Sequence, residues 1–104
     1  MHLPSDFFSR FFPTFLLVLL MSGCAAMTPP VQEMSNARQT IQAAKEAGAE
    51  VHAAASLAQA EELLQQASQE IEDGDYVSAR NSALRARQLA MQARENALRK
   101  KQDD

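Results

Sequence analysis

Apolar positions along the chain fall into two regimes. From Phe11 to Met21 they are consecutive, eleven residues interrupted only by Pro13 and Thr14. From Met34 onward they recur at intervals of three and four. Met34, Ala37, Ile41, Ala44 and Gly48 form one such series, and Leu57, Ala60, Leu64, Ala67 and Ile71 a second. Tyr76, Ala79, Ala83, Ala86, Ala90, Ala93 and Ala97 form a third that lasts three heptads. Steps of three and four return a side chain to the same face of a helix. The pattern therefore predicts an all-α fold: a small antiparallel three-helix bundle, with helices over about 31–48, 54–73 and 75–101, and a tail at 102–104.

The punctuation agrees with three helices. Pro29-Pro30 stiffens the approach to the first helix and suits its first turn. Beyond it there is no proline and only two glycines, Gly48 and Gly74, in a background of Ala, Gln, Glu and Arg, all good helix formers. Asp73-Gly74-Asp75 combines a helix-ending glycine with an aspartate placed to cap the next helix. Ser56-Leu57-Ala58-Gln59 matches a capping box, which would start the second helix near Ser56. Ala49 to Ala55 could either break the helix or continue it.

The third helix carries a second stripe. Val77, Leu84, Met91 and Leu98 recur every seven residues, about 100° from Ala83 and Ala90, with Arg80, Arg87, Arg94 and Lys101 running between the two stripes. Arginine stems can lie over apolar surface while their heads reach water. The stripe itself would seat another helix. The first helix of the chain is the favoured neighbour, because large apolar residues are scarce, and a partner protein is the alternative. Residues 56–75 contain six acids and no base, whereas 76–101 contain seven bases against Glu95. Opposite charges on helices joined by a tight turn favour a hairpin, and bases at the end of the third helix suit its dipole. A basic helix could also attract anionic head groups; nucleic-acid binding is not expected.

The consecutive run near the N-terminus is too short to span a bilayer, which takes about twenty apolar residues, and fits a signal-peptide core. Met21-Ser22-Gly23-Cys24 follows it directly and resembles the lipobox of bacterial lipoproteins. There, small residues precede a cysteine that is diacylated, exposed by signal peptidase II and then N-acylated. The resemblance implies a signal peptide over 1–23, cleavage between Gly23 and Cys24, a lipidated Cys24 and an acylated tether over 24–30. Met21 stands where Leu, Val or Ile is usual, and Arg10 is the only base ahead of the apolar run, opposed by Asp6. A lipobox cysteine carries three acyl chains, and two or more anchor a protein stably. Ala25 and Ala26 after the cysteine, where an aspartate would retain such a protein in the inner membrane, imply the outer membrane facing the periplasm.

Cutting before Cys24 leaves 81 of the 104 residues, with Tyr76 as the sole aromatic and 15 large apolar residues. A chain of that size buries only about 60% of its unfolded surface, and a core so poor in large side chains is not expected to enclose a ligand pocket. One cysteine excludes a disulfide scaffold. His52 is the only histidine beyond the leader, so no nitrogen- or sulfur-rich metal site is expected, and its expected place is an exposed loop. Glu70, Glu72, Asp73 and Asp75 form an acidic patch without the ligand spacing of a calcium loop. Ser56, Ser68, Ser78 and Ser82 have no base other than His52. No phosphate-binding glycine loop is present. No catalytic residue, metal or cofactor is expected, apart from the lipid on Cys24.

From Ala37 to about Ala97 the chain resembles domain-of-unknown-function family 4398, found in small bacterial lipoproteins and ahead of peptidoglycan-binding OmpA-like domains. The residues that carry the resemblance are Gly48-Ala49, then Leu57, Ala60, Leu63, Leu64 and Ala67, then Gly74-Asp75-Tyr76, then Ala79, Ala83, Ala86, Ala90 and Ala93. The proline usual before the second helix is replaced near Ala54. The turn and the alanines after it also look like the second half of a tetratricopeptide hairpin, in which Tyr76 would plug the hairpin. The resemblance implies no activity. The function expected is that of a lipid-anchored helical module with a structural or protein-interaction role at the cell envelope. One alternative is a self-associating coiled-coil envelope lipoprotein, although Lys100-Lys101-Gln102-Asp103-Asp104 lacks the terminal lysine needed for a covalent peptidoglycan link. The other is a small binding module for an envelope ligand. The candidate interaction surface is the stripe Val77, Leu84, Met91 and Leu98 with Arg80, Arg87 and Arg94.

Overall fold

The computed structural model describes residues 28–103, so the leader, the Gly23–Cys24 cleavage site and the lipidation site lie outside the described residues. Four helices follow one another: α1 (Val31–Glu46), α2 (Ala49–His52), α3 (Ala54–Glu72) and α4 (Tyr76–Asp103). The described residues contain no strand. Helix α4 is the hub, with α1 and α3 side by side along it. The three long helices run up, down and up, so α1 is parallel to α4 and α3 antiparallel to both.

Each boundary has a local cause. Pro30 sits just outside α1 rather than in its first turn: its carbonyl accepts from Met34 N at 3.0 Å, Pro29 O accepts from Val31 N at 2.8 Å, and no side chain caps the end. Helix α1 stops where Gly48 adopts φ +92°. The chain then makes the single turn of α2 and leaves helical geometry for one residue, Ala53, at φ −149° and ψ 44°. Residues 49–55 thus both continue and break the helix, and among the described residues the short α2 joins the three long helices that the periodicity predicts. The Ser56 capping box does not form. Ala53 is the boundary residue, no side chain caps α3, and Ala54 and Ala55, the best of helix formers, extend it one half-turn ahead of Ser56.

The α3–α4 turn follows the glycine-aspartate pattern closely. Gly74, at φ +79°, donates to Ile71 O at 3.0 Å, and Asp75 N donates to Glu70 O at 2.8 Å. These are the paired bonds of a Schellman ending. Asp75 Oδ1 then accepts from Ser78 N at 3.2 Å, satisfying a free donor at the start of α4. At its other end α4 continues through Gln102 and Asp103, so those residues are helix and not tail. Good helix formers, with Lys100 and Lys101 against the negative helix end, carry it that far.

The core is built from small side chains. Of the fifteen buried apolar residues given for the described part, twelve are alanine, the others being Met34, Ile41 and Leu57. One cluster joins Ile41, Ala44, Leu57 and Ala60 to Ala90, Ala93 and Ala97. A second, at the Gly74 end, joins Met34, Ala67 and Ala83, with Leu64 and Ile71 against it. Two ion pairs, Lys45–Glu61 between α1 and α3 and Arg80–Glu33 between α4 and α1, both at 3.2 Å, brace the sides of the bundle.

Candidate interaction surface on the C-terminal helix

Helix α4 divides into two faces. Ala79, Ser82, Ala83, Ala86, Ala90, Ala93 and Ala97 are buried against α1 and α3. The stripe of Val77, Leu84, Met91 and Leu98 lies on the outside, with fractional exposures of 59, 46, 47 and 39%. The first helix is therefore not its neighbour, contrary to the favoured expectation. The reason is steric: alanines let two helix axes come close to α4 at once, and α1 takes its place beside α3 on that face. Exposure is greatest at Val77, near the start of α4, and least at Leu98.

The basic column beside the stripe is split by the fold. Arg80 is half-buried, and its Nε donates to Glu33 Oε1, so it belongs to the α1–α4 contact. Lys101 lays its side chain over Gly48, in the space that a Cβ there would need. Arg87 and Arg94, between these two, are exposed. Of the residues expected to form the surface, the structure keeps the four apolar ones and these two arginines together and withdraws Arg80.

The acidic patch is also divided. Glu70 turns inward to accept from Ser82 Oγ at 2.6 Å, whereas Glu72, Asp73 and Asp75 are exposed. This Ser82–Glu70 bond across the hairpin was not anticipated. The available signal was a lone serine within a face otherwise made of alanine. His52 is not in an exposed loop: it is the last residue of α2 and half-buried. With Ser56, Asn96, Arg99 and Lys100 it borders an open crevice of about 490 Å³. Ser68 Oγ donates to its own helix at Leu64 O, and Tyr76 opens α4 half-buried. Among the described residues no three His, Cys, Asp or Glu side chains group as metal ligands, and no helix is long and apolar enough to cross a membrane.

A family model described as domain of unknown function (DUF4398) matches residues 32–104. No curated protein and no solved structure matches the chain.

Proposed function

The chain belongs to the DUF4398 family, and we propose that it is a lipid-anchored helical module of the bacterial cell envelope, facing the periplasm from the outer membrane, that works by contact and not by catalysis. The observation that carries this is the outer face of α4. Three heptads of a structured helix hold four large apolar side chains at the surface, whereas the core of the described residues buries Met34, Ile41 and Leu57 among its alanines. An apolar strip bordered by arginine has the composition of an interface centre and its edge. The lipobox-like run ending at Cys24 supports the anchor. A single self-associating coil is less consistent with the fold, because Gly48 and Gly74 turn the chain back on itself.

A photoreactive amino acid at position 84 or 91 tests this in cells. Adducts are expected from the membrane fraction at both positions and not at Gln65 on the exposed face of α3, and Cys24→Ala should release the protein from that fraction. Absence of adducts at 84 and 91, or equal adducts at 65, would remove the contact role.

A further inference from the structure

The charge beside the stripe is not balanced from within the fold. Helix α1 runs parallel to α4, and Glu33 pairs with Arg80. Both helices rise by about 1.5 Å per residue, so the same register carried forward by one and two heptads brings Thr40 level with Arg87 and Ala47 level with Arg94. Neither can form an ion pair: the Thr40 hydroxyl donates to Asn36 O at 2.7 Å, and Ala47 is apolar. Within α4, the residues three and four positions from Arg87 are Ala83, Leu84, Ala90 and Met91. For Arg94 they are Ala90, Met91, Ala97 and Leu98. Two guanidinium groups thus edge the stripe with no carboxylate paired to them among the described residues. Glu33, the acid of α1 on the side facing this column, is engaged by Arg80 one heptad earlier.

Several occupants can be compared on these grounds. A second copy docking antiparallel through the same stripe would bring Arg87 and Arg94 against arginines of its own kind. A parallel one would meet the edge of Asn81, Gln88 and Glu95, with one acid for two arginines. A second copy docking through α3 would offer acids but no large apolar residue. Apart from the stripe, the exposed large apolar side chains of the described part are the isolated Val31 and Val51, neither of which forms a row that could match three heptads. A bilayer surface calls for an apolar sector about 100° wide, and one large side chain per seven residues is narrower than that. What fits is a helix with its own apolar row, bordered by acids.

On the strength of the contact role above, we infer that the outer face of α4 docks an acidic amphipathic helix of another protein, with apolar residues at heptad spacing edged by Glu or Asp that pair with Arg87 and Arg94. From Val77 to Leu98 the stripe extends about 30 Å, which sets the docked segment at about three heptads.

Two synthetic 28-residue helices provide the probe, both with leucine at heptad core positions, one flanked by glutamate and the other by lysine. Binding to the full-length protein in neutral detergent is read by fluorescence anisotropy. The glutamate peptide should bind about tenfold more tightly than the lysine peptide, as expected for two exposed ion pairs, and the difference should shrink as salt is raised. Arg87→Glu with Arg94→Glu, both at exposed positions, should reverse the preference. Leu84→Glu with Met91→Glu should abolish binding of either peptide at unchanged helicity. Equal binding of the two peptides, or binding of neither, would overturn the inference. So would a dimer in sedimentation that Leu84→Glu dissolves, or binding to phosphatidylglycerol vesicles in place of the peptides. If cellular adducts form at 84 and 91 while the peptides are not distinguished, only the acidic partner is lost. Peptide discrimination without cellular adducts would instead remove the contact role.

Discussion

The two faces of α4 invert the usual relation between side-chain size and burial. The inner face holds six alanines with no exposed surface and Ser82 at 8%, whereas the outer face keeps Val77, Leu84, Met91 and Leu98 between 39 and 59% exposed. Burying a large apolar side chain stabilises a fold by about 1.5–3 kcal/mol, so a half-exposed one forgoes roughly 1 kcal/mol. The inner face accepts this loss because small residues permit axes near the short end of the 8–10 Å range, and so allow two helices to share α4. Folding alone gives no reason to place the large residues outside. The difference separates what holds the bundle together from what the bundle presents.

The sharpest way to break the comparison is to put a large residue on the inner face. Ala90→Leu, within the cluster that holds Ile41 and Leu57, should cost about 3 kcal/mol and lower the thermal midpoint by roughly 10–20 °C. A stabilised variant would mean that the alanine face is not closely apposed. Next comes Ser82→Ala, which leaves the half-buried Glu70 carboxylate without its donor at 2.6 Å; about 1–2 kcal/mol should be lost in urea denaturation. The two turns follow. Gly74→Ala meets open space at φ +79° and should cost about 1 kcal/mol for the left-handed backbone alone. Gly48→Ala must also displace the Lys101 side chain, so it should cost more, and Lys101→Ala in that background should bring the two glycine sites level. The smallest effect belongs to the outer face. Leu84→Ala and Met91→Ala should each cost no more than about 1 kcal/mol, and a loss of about 2 kcal/mol or more in the same urea titration would mean that the stripe is packed after all.

What could be read in the sequence depended on whether a residue's signal was local. The alanine face was legible because burial follows the three-and-four step whatever the side chain. The Gly74 turn was legible because a positive φ singles out glycine and the following aspartate caps. The break at Ala53 left no mark, since alanine has no turn chemistry and the stretch around it is equally good helix. Ser56 and Gln59 showed the converse: a capping pattern without a cap, overridden by two alanines ahead of it. The Ser82–Glu70 bond joins residues twelve apart across a turn, beyond any periodic pattern. The stripe was visible as a stripe, but a heptad row looks the same whether its partner is in the chain or outside it. Only the placement of α1 decides between them.

The up-down-up order has one more consequence. Pro29 adjoins Ile71 and Glu72, so the point where the tether enters lies at the acidic end, near Glu33, Asp73 and Asp75. Helix α4, with 28 residues, carries Arg99, Lys100 and Lys101 about 40 Å away. On the anchor proposed at Cys24, six intervening residues would allow at most about 20 Å of slack. The foot of the molecule then has the sign that an anionic leaflet repels, and its head the sign that such a leaflet attracts. On that proposal the bundle would stand at the membrane as a mast rather than a mat, holding its cationic tip and the row beside Arg94 out into the space beyond.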